Sequence, residues 1–222
     1  MANSLITLRK SLPFNEFDYQ ALSNALKDYA QIRSKIQQLL KTGAIIRIKK
    51  GLYVFGPELT QGLISKELLA NWIYGPSYLS LEYALSFHHM IPERVYTLTS
   101  VTTKKNKHFK TPLGEFSYGY LNQTLYPLGI TSVSIDSQRN ILIATPEKAL
   151  IDTLYFSNIT AFKNDQDIET WLLEDQRINP EILATLDISL LSKWLPLYAR
   201  PTVRALIQWI CDRAQQSLFT HE

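Results

Sequence analysis

The sequence predicts an α+β chain in two parts. An N-terminal winged helix-turn-helix takes residues 1–57, and residues 58–222 form a larger α+β domain with a small antiparallel sheet flanked by helices. Three observations predict it. Apolar residues recur at helical spacing three times before a two-strand pattern with a basic turn. Beyond residue 57, strand-like runs are enclosed between helical ones, the order of an α+β domain. The charge is lopsided: residues 1–56 carry nine basic and three acidic side chains, net +6, and the rest fourteen and seventeen, net −3. A basic head on a mildly acidic body points to a polyanion as the partner of the head.

In the head, Leu5, Ile6, Leu8 and Leu12 give a short first helix that closes near Pro13. Tyr19, Leu22, Ala25 and Leu26 space a second over Asp18–Lys27. Asp28, three residues before Gln31, is expected to cap a third helix. There Ile32, Ile36, Leu39 and Leu40 make one apolar stripe, and Gly43 stands where a helix leaves through a left-handed residue. At about 100° per residue, Ala30, Ser34, Gln37, Gln38 and Lys41 point away from the stripe, flanked by Gln31, Arg33 and Lys35. No acid lies between Asp28 and Glu58.

A solvated helix face normally mixes charge signs. This one carries Gln, Ser, Lys and Arg, which pair with base edges and phosphates in a major groove. Ala44–Ile48 then alternates apolar and polar, Lys49-Lys50-Gly51 turns, and Leu52–Phe55 returns as a second strand. Three helices and a hairpin with a basic tip put the third helix in the groove and the tip on the backbone. The DNA-contacting set expected is Gln31, Arg33, Ser34, Lys35, Gln37, Gln38, Lys41, Arg47, Lys49 and Lys50.

In the body, Leu63, Ile64, Leu68 and Leu69 begin a helix towards Trp72, and Leu81, Ala84, Leu85 and Met90 suggest another capped by Ser77 or Ser80. Val95–Thr103 reads as a strand, Lys107–Thr111 and Glu115–Tyr120 as a hairpin, and Ile141–Ala144 as a short buried strand. Thr145-Pro146-Glu147 opens a helix with a cap, a proline and an acid facing the helix dipole, and Asn179-Pro180-Glu181 repeats that opening. Val203, Leu206, Ile207 and Ile210 line a last helix. Lys104, Lys105, Lys107 and Lys110 put four cations within seven residues: a solvated loop, or a second surface for nucleic acid or an acidic partner.

Catalytic chemistry is hard to find. The single cysteine, Cys211, allows neither an intramolecular disulfide nor a multi-thiolate metal site, and suits a reducing, cytoplasmic setting. Adjacent His88 and His89 would point apart on a helix, so no metal ligand set is expected. Glu147 is better read as a helix-start residue than as a partner of Asp152. No acid has a lysine two positions later, which removes the core of many metal-dependent nucleases. Neither phosphate-cradling glycine motif occurs. The longest uncharged stretch, Phe116–Ile135, is interrupted by glycines, a proline and amides, and no signal peptide is indicated. The expectation is a non-enzyme without cofactor or membrane partner.

Several of these segments resemble the AbiEi family, antitoxins of type IV toxin–antitoxin and abortive-infection systems. The similarity runs over roughly residues 15–157. It rests on Arg47-Ile48-Lys49-Lys50-Gly51-Leu52-Tyr53, on Tyr78–His88 with Ile91-Pro92-Glu93, on Val95–Thr102 with Thr111–Gly114, and on Ala144–Leu150. His89 stands where glycine is common in that family, and residues 158–222 carry no matching motif. The resemblance implies a repressor of its own promoter that binds inverted repeats in double-stranded DNA. It also implies an antitoxin that counteracts a nucleotidyltransferase-like toxin without a stable complex. Two alternatives stand beside it: a regulator whose body senses a small ligand among its many tyrosines, and a nuclease targeted by the head.

Overall fold

The computed structural model describes residues 2–219, with side chains for 4–214. The first helix, α1 (Ala2–Ser11), ends ahead of Pro13, as expected. Next comes a short strand that no local pattern announces, β1 (Glu16–Asp18). Asp18 closes β1 and caps α2 (Tyr19–Ala25), its carboxylate accepting from the Ala21 amide at 2.7 Å. Asp28 does not cap the third helix. That helix, α3 (Ile32–Lys41), starts after Gln31, which makes no side-chain capping bond. Gly43 leaves the helix at φ +73°, as its position predicted. The hairpin of β2 (Ile45–Lys49) and β3 (Leu52–Phe55) turns at Gly51, whose φ of +85° strains any other residue.

Strands β1, β3 and β2 pair antiparallel in that order. Alternation along β3 sends Tyr53 and Phe55 to one face, where Phe17, Leu22, Ile36, Leu39 and Ile45 join them in a small core. Leu52 and Val54 leave by the other face and, with Ile48, belong to the core of the body. The head is therefore buried on both sides of its central strand. Polar bonds reinforce the joint. Buried Glu16 accepts from the Ser65 amide and pairs with Arg139 at 2.5 Å, and Arg139 lies 4.6 Å from the centre of the Phe14 ring. Asn15 donates to the Gln61 and Leu63 carbonyls.

The body opens with α4 (Lys66–Ile73), capped by the Ser65 hydroxyl, then β4 (Ser77–Leu79) and α5 (Leu81–Phe87). Strands β5 (Leu98–Thr102), β6 (Lys107–Thr111) and β7 (Gly114–Tyr120) follow, then β8 (Ile130–Ser134) and β9 (Asn140–Ala144). The expected hairpin and buried strand are there. The sheet itself corrects the expectation of a small antiparallel one: six strands in the order β6-β7-β5-β4-β9-β8, with β4–β9 and β5–β7 parallel. Ser77–Leu79, expected only to precede a helix, is a central strand because its neighbours come from residues 98–102 and 143.

Helix α4 covers one face, where the Tyr118 hydroxyl donates to the Ala70 carbonyl at 2.6 Å. On the other face α6 (Pro146–Phe156) lays the Phe156 ring on Gly119, where a Cβ would stand 2.7 Å from the ring. Helices α7 (Asp165–Thr170), running into a π turn over Trp171–Asp175, α8 (Pro180–Leu183), α9 (Ile188–Trp194) and α10 (Pro201–Phe219) follow, and α10 packs on α6, α7 and α9. Val203, Leu206, Ile207 and Ile210 of α10 are buried as their spacing predicts, and Cys211 is buried beside them. The fold is mixed α+β.

Candidate nucleic-acid interface

Helix α3 presents two unlike faces because its sequence has a helical period. Ile36 and Leu39 are buried against β2 and β3, while Gln31, Arg33, Ser34, Gln37, Gln38 and Lys41 face solvent. Among the described residues, no side-chain hydrogen bond or ion pair engages Arg33, Ser34, Gln37 or Lys41. Lys35 is half-buried: its ammonium sits 4.9 Å from the centre of the Tyr29 ring and donates to Gln38 Oε1 at 3.2 Å. Lys35 and Gln38 thus hold each other in place on this face.

The hairpin separates its cations. Arg47 is exposed, its guanidinium 5.9 Å from the centre of the Tyr53 ring across the strand pair, and Lys50 is exposed at the turn. Lys49 turns inward, because the register of the hairpin shifts between Arg47 and Lys49. Its ammonium donates to the Ile73 carbonyl at the end of α4. Burial, and then the neighbouring Lys104 charge, hold the Lys49 amine below its ordinary range. Of the ten expected DNA-contacting residues, eight are exposed on α3, at its start or on the hairpin; Lys35 is half-buried, and Lys49 is spent on the joint between head and body.

The lysines of residues 104–110 scatter rather than gather. Strand alternation puts Lys107 and Lys110 on opposite faces of β6. Lys107 lies 5.6 Å from the centre of the Phe109 ring, and Lys110 pairs at 3.5 Å with Glu115, its partner in register on β7. Lys104 donates to the Gly75 carbonyl beside the Tyr74 ring. Lys105 remains exposed.

Other polar side chains of the body serve the fold. Lys148 and Asp152, one turn apart on α6 and wholly buried, pair at 2.7 Å. Asp152 also accepts from the Tyr78 and Ser80 hydroxyls, and Lys148 bonds the Leu125 carbonyl and the Tyr198 hydroxyl. Burial, followed by the Asp152 charge, pushes the Tyr78 hydroxyl well above its ordinary range. The i,i+4 spacing of Lys148 and Asp152 was a readable signal for this pair. Glu147 accepts from the Asp187 amide at 2.9 Å, so it holds α9 besides opening α6. His88 bonds the Ala144 carbonyl at 2.7 Å, and His89 is exposed at φ +58°, so the chain leaves α5 tightly without a glycine. Among the described residues, no three His, Cys, Asp or Glu side chains gather as a metal site requires, and no helix is long and apolar enough to cross a membrane.

No family model matches the chain, and no curated protein matches it. Among solved structures, JHP933 from Helicobacter pylori matches at 13% identity over 70% of this chain and 92% of that one, with a TM-score of 0.31. A likeness that slight supports no inference about this chain.

Proposed function

We propose that this protein is a DNA-binding transcriptional regulator that lays α3 in a major groove, with Arg47 and Lys50 of the β2–β3 hairpin on the adjoining backbone. The observation that carries the reading is the outer face of α3: amides, a hydroxyl and cations without an acid, exposed and largely unengaged, on a helix whose other face is buried. Gln pairs bidentately with adenine, and Arg or Lys with guanine, so such a face has the chemistry of direct readout. The order helix, strand, helix, helix, hairpin agrees with a winged helix-turn-helix. The AbiEi-like segments extend the proposal to an autorepressor and antitoxin of a type IV system, acting against a nucleotidyltransferase-like toxin.

The test is fluorescence anisotropy of the full chain on duplex DNA from its own upstream region and on random duplex. The upstream site is expected to bind at least about a thousandfold more tightly. Gln38→Ala and Ser34→Ala should each cost about 1–3 kcal/mol on that site and little on random DNA. Equal losses on both duplexes would mean that α3 reads no bases. Antitoxin action is tested apart, by co-expression with a nucleotidyltransferase-like toxin encoded beside it; growth arrest that persists would contradict that half.

A further inference from the structure

A second feature of the body lies outside the α3 face and stands whether or not the DNA reading holds. Where α4 ends and β5 leaves the sheet, an open groove of about 830 Å³ is walled by Tyr74, Tyr120 and Phe156, with Lys104, Lys105 and Asn106 at its rim. Its size lies within the range of small-molecule sites. Each wall is held. Tyr74 packs edge-on against Tyr118 at 5.4 Å, and Phe156 rests on Gly119 where no side chain intervenes. Tyr120 is 51% exposed, a large flat ring left facing water at the end of a strand.

The polar rim is one-sided. Asn106 Oδ1 accepts from the Tyr120 amide at 2.6 Å, which fixes the side chain and leaves its NH2 as a donor. Lys104 is anchored on the Gly75 carbonyl, and Lys105 is exposed. Among the described residues, no acidic side chain lines the groove. Flat rings with cations and an amide beside them match a ligand having an aromatic face and an anionic end. The cations do not continue as a track, since Lys107 lies over Phe109 and Lys110 pairs with Glu115. A polynucleotide backbone needs such a track, whereas a single nucleotide does not.

We propose that this groove binds a mononucleotide, its base stacked on Tyr120 and its phosphates held by Lys105 beside the anchored charge of Lys104.

Isothermal titration calorimetry on the full chain tests it, with ATP, GTP, CTP and UTP in turn, then adenosine, inorganic tripolyphosphate and a short oligothymidylate. At least one nucleoside triphosphate should bind at a single site, more tightly than either adenosine or tripolyphosphate. Tyr120→Ala and Lys105→Glu should each weaken it about tenfold, the size of one lost base stack or one lost phosphate contact. Both positions are exposed, so the melting temperature should stay within about 2 °C of the parent. Lys104 is left intact because it also holds the end of α4. No heat with any of the four at millimolar concentration overturns the proposal, as does binding that both variants leave unchanged. Tripolyphosphate binding as tightly as the nucleotides would make this an anion site only. Oligothymidylate binding more tightly, with loss in both variants, would replace the nucleotide with a single strand.

Discussion

The cations of α3 and those of residues 104–110 look alike in the sequence and fare differently in the fold. On α3 a period of 3.6 gathers Arg33, Lys41 and their amide neighbours on a solvent side, and among the described residues most of these side chains have no partner. On β6 a period of two divides Lys107 from Lys110, and a strand from elsewhere delivers Glu115 to the second of them. Deeper in the body Lys148 and Arg139 are each matched to a carboxylate. The lesson is that local charge density does not mark a binding surface. What marks it is density on one face of one element with no partner arriving from another.

The strongest way to break this contrast is to remove a partner. Asp152→Ala strands a buried ammonium and should cost about 3–5 kcal/mol in denaturant unfolding, while the folded fraction keeps its DNA affinity. Arg139→Ala leaves buried Glu16 without its cation. A loss of about 1–3 kcal/mol is expected, with faster amide exchange at Glu16 and Ser65, where head meets body.

Two neighbouring lysines sharpen it. Lys50→Ala should lower the salt slope of DNA binding by about one, because an exposed phosphate contact is lost. Lys49→Met should leave the slope alone and act through stability, since its ammonium already rests on the Ile73 carbonyl. Equal slopes for the two would put Lys49 back on the DNA. The smallest effect belongs to Lys110→Ala, whose exposed pair with Glu115 is worth within about 0.5 kcal/mol by thermal melting.

Much of the head was legible because local rules decide it. The α3 stripe, Gly43 past its end, and Gly51 in the hairpin turn each follow from a few adjacent residues. So does the Thr145-Pro146 opening of α6, whose cap the structure contains. What stayed hidden depends on residues far apart in the chain. β1 is three residues long and becomes a strand only because β3 pairs with it across thirty-eight positions, Glu16 against Val54. The parallel pairing of Leu79 with Ile143 has no hairpin to announce it. Asp28 had the right type for a cap, but α3 starts after Gln31 instead. The aromatic groove joins residues 74, 104–106, 120 and 156, and nothing in any one segment foretells it.

The central claim is that the unpartnered α3 face, and not the scattered lysines of the body, carries DNA. Salt titrations of upstream-duplex binding by the full chain decide it most directly, comparing Arg33→Ala, Lys41→Ala and Lys110→Ala with the parent. If the claim holds, the two α3 variants each flatten the plot of log affinity against log salt by about one, and Lys110→Ala superimposes on the parent. Slopes that stay unchanged for both α3 variants, or that fall for Lys110→Ala instead, would contradict it.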